Sequence, residues 1–245
     1  MLIKAAINGG RTKSEHAWIP VSVDEQAEAV VECLAVGAGA IHLHVRDATG
    51  EESLRAADVS RTLDAMRAAA PGAQIGVSTG AWIIPDPAAR AQDIARWREL
   101  PDFASVNFSE HGAVEVAQLL LSRGVDVEAG LCQADDAEVL IRSGLAEGCL
   151  RVLLEPQEQE IEKARGTVRA MEAVLNKARV ELPRLLHGTE ATSWQLLDDA
   201  IARGYGIRIG FEDTLRLPDG RLAVNNASLI SEARRRVQGI TPVNT

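Results

Sequence analysis

Two histidines spaced two residues apart give this chain its clearest chemical pattern. His42 and His44 lie in the apolar stretch 40–47, AIHLHVRD. Alternate side chains of a strand face the same way, so both imidazoles should point to one side and the aliphatic residues to the other. Neutral imidazole is a good ligand for a divalent metal. Two hydrogen-bonded core histidines are the alternative, but the HxH spacing inside an apolar strand favours a metal site.

An acidic pair near the end of the chain is a candidate to complete that site. Glu212 and Asp213 directly follow the apolar stretch 206–211, GIRIGF. By strand parity Arg208, Gly210 and Glu212 share one face, and Gly210 leaves room between the guanidinium and the carboxylate. Two histidines plus Glu212 give three ligands with an open position, which is typical of a catalytic metal site. The set suits Zn2+, while Fe, Mn, Co and Ni remain alternatives.

Asp213 is then placed to act as a general base beside the metal. Arg208 could hold the Asp213 carboxylate, or it could bind a substrate carboxylate with two hydrogen bonds. The alternative is that the acidic pair only begins a loop, with Asp213 capping a turn.

Apolar, strand-like segments and helical segments alternate along the whole chain. The predicted strands are 2–8, 40–45, 74–80, 103–108, 125–130, 149–155, 184–188 and 206–211. The predicted helices are 23–36, 57–70, 86–100, 113–123, 135–143, 158–178, 193–203 and 225–236. This repetition in 245 residues predicts a single-domain (β/α)8 TIM barrel spanning 1–245. A doubly wound open sheet is the alternative, but the segment 8–11, NGGR, does not complete the dinucleotide motif G-x-G-x-x-G.

Polar side chains occur where each predicted strand ends. In a barrel of this type the C-terminal ends of the strands carry the active site. Besides the residues above, this group contains Asn8, Ser78, Thr79, Ser105, Asn107, Ser109, Glu128, Glu155 and His187. Glu128 suggests a cationic group on the substrate, because an acid in a closed site needs a partner. For His187, contact with a ligand and a plain position on the rim are equally open.

Composition restricts the class of protein. The net charge of −9, a pI near 5.1 and the lack of a basic block argue against a nucleic-acid binder. Three cysteines without paired spacing suggest a reducing compartment. The sequence shows neither a signal-peptide pattern nor a long apolar stretch. We therefore expect a cytoplasmic protein with no membrane partner.

Five motifs give the chain a resemblance to a known family. They are AINGGR (6–11), GAGAIHLHVRDATG (37–50), IGVSTG (75–80), SVNFSE (105–110) and IRIGFEDT (207–214). Together they make the chain resemble the β-keto acid cleavage enzymes nearly from end to end. The resemblance implies a Zn2+-containing (β/α)8 barrel that converts a β-keto acid and acetyl-CoA into acetoacetate and a new acyl-CoA. It also implies a homo-oligomer.

The resemblance implies a role for each matching position. His42, His44 and Glu212 correspond to metal ligands, and Arg208 and Asp213 to the pair that assists proton removal. Substrate-binding positions are Ser78, Thr79, Ser105, Asn107 and Glu128, the last being similar to an acid that holds a substrate amino group. A metal on the keto oxygen would acidify the neighbouring C–H bonds, giving an enolate that attacks the thioester. CoA transfer and retro-Claisen cleavage would then release acetoacetate.

Three other functions stay open at this point. A metal-dependent hydrolase of the amidohydrolase type also begins with HxH, but it usually needs further His and Asp ligands on later strands. A metal-dependent aldolase or lyase would use the same enolate without acetyl-CoA. A non-catalytic metal or metabolite sensor would need an attached element that transmits the signal, and the sequence offers none.

Overall fold

A computed structural model describes residues 1–240 as a closed barrel of eight parallel strands. The strands follow one another in chain order, and the last pairs with the first. Their bounds are β1 Ile3–Ala6, β2 Ala40–Leu43, β3 Ile75–Ser78, β4 Phe103–Asn107, β5 Asp126–Leu131, β6 Arg151–Leu154, β7 Arg184–Leu186 and β8 Gly206–Ile209. The predicted TIM barrel is confirmed, whereas the predicted domain end at residue 245 lies outside the described residues.

One helix follows each strand. The bounds are α1 Val23–Ala35, α2 Ala56–Ala69, α3 Pro87–Ala95, α4 Ala113–Ser122, α5 Ala134–Arg142, α6 Ile161–Lys177, α7 Ser193–Ala202 and α8 Asn226–Ile240. Every predicted element is present, but most strands are shorter than predicted. Apolar residues continue past the hydrogen-bonded ladder into the loops, so hydrophobicity alone overestimates strand length.

The first helix shows how local sequence sets these boundaries. Ser22 caps α1: its hydroxyl accepts from the Glu25 amide at 3.3 Å, and the Glu25 carboxylate accepts from the Ser22 amide at 3.0 Å. This reciprocal pair satisfies amides that have no partner inside the helix. In α3, Asp86 caps the Ala89 amide, and Pro87 occupies a first-turn position where no amide hydrogen is needed.

The hydrophobic core lies between the barrel and the helices. Outward-facing strand residues such as Ile41 and Leu43 are fully buried and belong to one cluster with helical residues such as Val30 and Met66. Since Ile41 and Leu43 face the helices, the strand period turns His42 toward the barrel axis. The core therefore fixes which face of β2 carries the imidazoles.

Charged residues fill part of the barrel interior. Lys4 and Glu128 are fully buried and form an ion pair, and Arg151 binds the other Glu128 oxygen. The Arg151 guanidinium also lies over the Phe103 ring, 4.6 Å from its centroid. Burial raises the pKa of Glu128, but the two cations outweigh it and hold that pKa well below its usual range. Burial lowers the pKa of Lys4 to about 8.

Within residues 1–240, no helix is both long enough and apolar enough to cross a membrane.

Candidate active site

A cavity of about 350 Å³ opens at the C-terminal ends of the strands. Its size is in the range of small-molecule pockets. Eight of the ten predicted site residues line it: His42, His44, Ser78, Ser105, Asn107, Arg208, Glu212 and Asp213. Glu155 and His187 line it too, together with Trp82, Glu110 and Cys132.

The three predicted metal ligands meet in this cavity. One donor atom from each of His42, His44 and Glu212 lies within 4.8 Å of the other two. His42 Nε2 is 3.4 Å from Glu212 Oε2, and His44 Nε2 is 3.4 Å from Glu212 Oε1. The two imidazole rings are nearly perpendicular, at 84°, with centroids 5.3 Å apart. Both imidazoles thus present the same nitrogen to one carboxylate.

Backbone contacts between β1, β2 and β8 hold these ligands in place. The Asn8 side chain bridges to the main chain of His44, accepting from its amide at 2.8 Å and donating to its carbonyl at 2.9 Å. The Glu212 amide donates to the Ala6 carbonyl at 3.1 Å. A Cβ at Gly210 would lie 2.0 Å from the Ala6 oxygen, so glycine is needed there for the approach of two backbones. The structure thus adds a requirement at the backbone of Ala6 to the room that we expected Gly210 to leave between Arg208 and Glu212.

The donor atoms fit a divalent cation. Glu52 Oε1 is 2.5 Å from His44 Nδ1, and the Ser105 hydroxyl is 3.4 Å from His42 Nδ1. With each Nδ1 engaged, each Nε2 is free to face Glu212. Within the described chain, Glu212 Oε2 is buried and has no hydrogen-bond partner. Two imidazole nitrogens and a buried carboxylate with an oxygen that makes no hydrogen bond form a donor set that suits a divalent cation.

The electrostatics of the two imidazoles differ. Burial lowers the pKa of His42 well below its usual value, so its ring is neutral and able to coordinate. Burial also opposes charge on His44, but the Glu212 and Glu52 carboxylates outweigh it and raise the pKa of His44 to about 9. Without a metal, a proton on His44 supplies the positive charge that these carboxylates attract. Metal binding would displace that proton.

A second group of charges adjoins the ligands. Arg208 donates to Asp213 Oδ1 from Nε at 3.1 Å and from Nη2 at 2.8 Å, and its Nη2 also contacts Glu212. His187 lies between two acids, with Nδ1 3.3 Å from Asp213 Oδ1 and Nε2 3.3 Å from Glu155 Oε2. Burial lowers the pKa of His187, but Asp213 and Glu155 outweigh it and raise that pKa. The other Glu155 oxygen, Oε1, is buried without a hydrogen-bond partner in the described part of the chain.

Two predicted substrate-binding residues are placed differently from our expectation. The Thr79 hydroxyl donates to the Ser105 carbonyl at 2.7 Å, so it joins β3 to β4 instead of facing the cavity. Glu128 is fully buried among Lys4, Arg151 and the Ser105 hydroxyl. The cation expected from a substrate is supplied there by the protein itself. Neither residue has a free polar group at the cavity wall.

Glu52, Trp82 and Glu110 are among the residues around the cavity that the sequence analysis missed. Glu52 lies in the loop after β2, and its hydrogen bond to His44 depends on how that loop folds back. Trp82 stacks on His44 with ring centroids 5.8 Å apart and 22° between the planes. Glu110 accepts from the Ala81 amide at 2.9 Å. Only SVNFSE, which contains Glu110, was a sequence pattern that could have pointed to one of them.

Comparison with known proteins supports the assignment of both fold and family. The chain is 25% identical to the 3-keto-5-aminohexanoate cleavage enzyme of Fusobacterium nucleatum over 249 residues, 96% of this chain and 90% of that protein. It is 35% identical over 80 residues to a 3-oxoadipate:acetyl-CoA acetyltransferase of Cupriavidus necator, 32% of this chain and 28% of that one.

A solved structure supports the fold. The ternary complex of ObcA with a C4-CoA adduct and oxalate superimposes with a TM-score of 0.72 at 16% identity. The match covers 91% of this chain and 64% of the ObcA chain, so this chain spans less than two thirds of that protein.

The family itself is identified by a match over nearly the whole chain. A sequence model of the beta-keto acid cleavage enzymes matches residues 1–241, which include every residue of the cavity described above. This chain therefore belongs to the beta-keto acid cleavage enzyme family, as an acyltransferase-like enzyme that cleaves a β-keto acid in an acetyl-CoA-dependent reaction.

Proposed function

We propose that this enzyme converts a β-keto acid and acetyl-CoA into acetoacetate and the corresponding acyl-CoA at the cavity above the barrel. His42, His44 and Glu212 would hold one divalent cation, for which Zn2+ suits the two nitrogens and one oxygen. The observation that carries the proposal is the Glu212 carboxylate, whose two oxygens each face one imidazole nitrogen, directly beside the Arg208–Asp213 pair. Among the described residues, its buried Oε2 has no hydrogen-bond partner.

A bound divalent cation supplies Lewis acidity, which makes the C–H bonds beside a carbonyl group easier to ionise. Asp213 is the base in the proposal, because its carboxylate lies next to the ligand Glu212 and is fully buried. The two hydrogen bonds from Arg208 fix the orientation of that carboxylate. A base held in one orientation loses little entropy when it takes the proton from the carbon between the two carbonyl groups.

The remaining steps balance without an oxidant or a reductant. The carbanion attacks the thioester carbon of acetyl-CoA, and the C–S bond breaks to give CoA thiolate and an acetylated keto acid. The thiolate then attacks the original keto carbon. The C–C bond to the acetoacetate part breaks, leaving acyl-CoA and the acetoacetate carbanion. The proton held by Asp213 returns to that carbanion and completes acetoacetate.

The acids of the cavity favour one kind of side chain on the β-keto acid. Glu155 Oε1 is buried without a hydrogen-bond partner among the described residues, and Glu110 lines the same cavity. A second substrate carboxylate, as in 3-oxoadipate, would be repelled there, whereas an amino or hydroxyl group could donate a hydrogen bond to Glu155. We therefore favour an amino-bearing or hydroxyl-bearing β-keto acid. Ser78, Ser105 and Asn107 offer further hydrogen-bonding groups at the cavity.

The test is a turnover assay on purified protein whose metal content is measured. A panel of β-keto acids with neutral, amino, hydroxyl and carboxylate ends is offered with and without acetyl-CoA, and acetoacetate and acyl-CoA are quantified. We expect acetoacetate only when acetyl-CoA is present, and about one metal per chain. Cleavage without acetyl-CoA would replace this proposal with the lyase or aldolase alternative. Glu212→Gln should lose most of both metal and activity, and unchanged metal content would remove Glu212 from the ligand set.

A further inference from the structure

Glu52 is a buried acid that the proposed reaction does not use. It lies after β2, where the chain folds back so that Arg46 and Glu52 form an antiparallel bridge. Only 15% of its side chain is exposed. Its Oε1 lies 2.5 Å from His44 Nδ1, and the indole nitrogen of Trp82 donates to both of its oxygens at 3.1 Å. The side chain is therefore held from two sides.

We propose that Glu52 is a positioning residue for His44. Removing Glu52 should weaken metal binding although Glu52 itself does not contact the ion. The inference rests on the proposed metal site. A neutral imidazole carries one N–H, and hydrogen bonding decides which nitrogen carries it. Once metal binding has displaced the second proton of His44, Glu52 at Nδ1 keeps the remaining hydrogen on Nδ1, and the Nε2 lone pair is on the side of Glu212. A carboxylate in this position also makes the ligating nitrogen more basic.

Trp82 completes this arrangement. Its ring stacks on His44, with centroids 5.8 Å apart, while its N–H holds the Glu52 carboxylate. The loop after β3 therefore restricts both the imidazole and the acid that orients it. Although 53% of Trp82 is exposed, its polar edge points inward to Glu52. The Trp82 indole therefore helps to orient His44 without contacting the metal itself.

The two histidines differ in the group that is hydrogen-bonded to Nδ1. Within residues 1–240, the hydrogen-bond partner of His42 Nδ1 is the Ser105 hydroxyl, 3.4 Å away, whereas that of His44 Nδ1 is the Glu52 carboxylate. Hydrogen bonds to an ionised group are roughly twice as strong as those between neutral groups. Glu52 should therefore contribute more to metal affinity than Ser105 does.

The test measures the Zn2+ dissociation constant by competition with a chromophoric chelator, using metal-free protein and no substrate. Outer residues of this type typically contribute about 10–100-fold to metal affinity. We expect Glu52→Ala to weaken Zn2+ binding by that factor and Glu52→Gln to weaken it less, because an amide oxygen can still accept from Nδ1. Glu51→Ala, which changes the exposed acid next to it, is the matched control and should bind like the unmodified protein.

Trp82→Phe provides a second variant. It keeps the stacked ring and removes the N–H to Glu52, so we expect a loss smaller than that of Glu52→Ala. Wild-type affinity in Glu52→Ala, with metal still lost in His44→Ala, would overturn the inference and leave the metal site standing. Unmodified protein that binds no Zn2+ would instead overturn the proposed metal site and this inference with it.

Discussion

The acids Glu212 and Asp213 are adjacent in sequence but have different surroundings. Glu212 faces two imidazoles, and one of its oxygens has no hydrogen-bond partner in the described part of the chain. Asp213 instead accepts hydrogen bonds from two nitrogens of Arg208. A carboxylate with a free oxygen beside nitrogen donors is suited to a cation. A carboxylate oriented by a guanidinium is suited to a single proton transfer. This division supports the separate roles given to the two residues.

Replacing the proposed base should separate metal binding from turnover. We expect Asp213→Asn to keep its metal, because Asp213 is not one of the three ligands, and to lose about 10²–10⁴-fold in kcat. Steady-state kinetics and metal analysis on the same preparation measure both. Asp219→Asn, a substitution in an exposed loop, is the control. Full turnover by Asp213→Asn would assign proton removal to another group.

Glu155 should govern preference among substrates. We expect Glu155→Gln to raise KM for an amino-bearing β-keto acid about tenfold, because a charged hydrogen bond of roughly 1.5 kcal/mol is lost. KM for a substrate with a plain alkyl end should change less. Initial rates over a concentration series for both substrates measure the difference. Equal changes for the two substrates would contradict a contact between Glu155 and the amino group.

Among the elements, the strands were predicted in type and order but not in length. The predicted strand 2–8 has regular strand structure over Ile3–Ala6, and the Ile7 amide still donates to the His42 carbonyl at 3.1 Å. Beyond it, the Asn8 side chain replaces the backbone ladder by bonding to both main-chain groups of His44. These two hydrogen bonds hold the main chain of His44 beside β1 where the regular ladder ends. A side-chain amide that replaces backbone hydrogen bonds between strands does not change the pattern of apolar residues. This end of the strand could therefore not be predicted from hydrophobicity.

The N-terminus of α1 gives a pH-dependent prediction. Burial raises the pKa of Glu25, but hydrogen bonds from Lys13 and the backbone amides of Ser22 and Val21 together outweigh it and lower that pKa to about 2. In the unfolded chain a glutamate has a pKa of about 4.3. Glu25 therefore stabilises the fold above about pH 4.3, and the contribution is lost as pH falls toward 2.

We expect Glu25→Gln to lower the free energy of unfolding by about 1 kcal/mol at pH 7, as for other helix caps. That difference from the unmodified protein should shrink as pH falls from about 5 to about 2. Urea unfolding at several pH values measures it. Glu28→Gln, on an exposed position of the same helix, should have little effect. A difference that stays constant with pH would show that the carboxylate charge is not what stabilises this cap.

At the scale of the whole molecule, the interior ion cluster joins three strands. Lys4 on β1, Glu128 on β5 and Arg151 on β6 are buried together beside Ser105, whose hydroxyl reaches both Glu128 and His42. Charges buried in this way must compensate one another, since none can be solvated. The cluster therefore supports the wall of the cavity from inside the barrel.

Breaking this cluster should destabilise the protein strongly. We expect Lys4→Met to lower the free energy of unfolding by about 3 kcal/mol, because Glu128 loses one of two buried partners. Adding Glu128→Gln should recover part of the loss. Lys163→Met, which removes a lysine whose side chain is 70% exposed, should change stability by less than about 1 kcal/mol. Chemical denaturation compares them, and equal effects of the two lysine substitutions would contradict a buried ion cluster.

The contacts within a single chain do not test how the protein assembles or where in the cell it is located. The homo-oligomer and the cytoplasmic location stay predictions. Both are open to direct measurement, the first by sedimentation or light scattering of the purified protein.

The eight strand–helix units, the rim where polar residues gather and the shared face of His42 and His44 could be predicted from the sequence. These features depend on periods of two and 3.6 residues, which are local properties of the chain. Glu212 was a candidate ligand from the sequence, but the contact that brings it to the imidazoles, the close approach of Gly210 to Ala6, is visible only in the folded barrel, as is the compensation of Glu128 by Lys4 and Arg151. The tertiary structure also decided that Glu52 and Trp82 fold over His44. Such contacts join residues far apart in sequence, and closure of the barrel, not any local pattern, sets the distances between them.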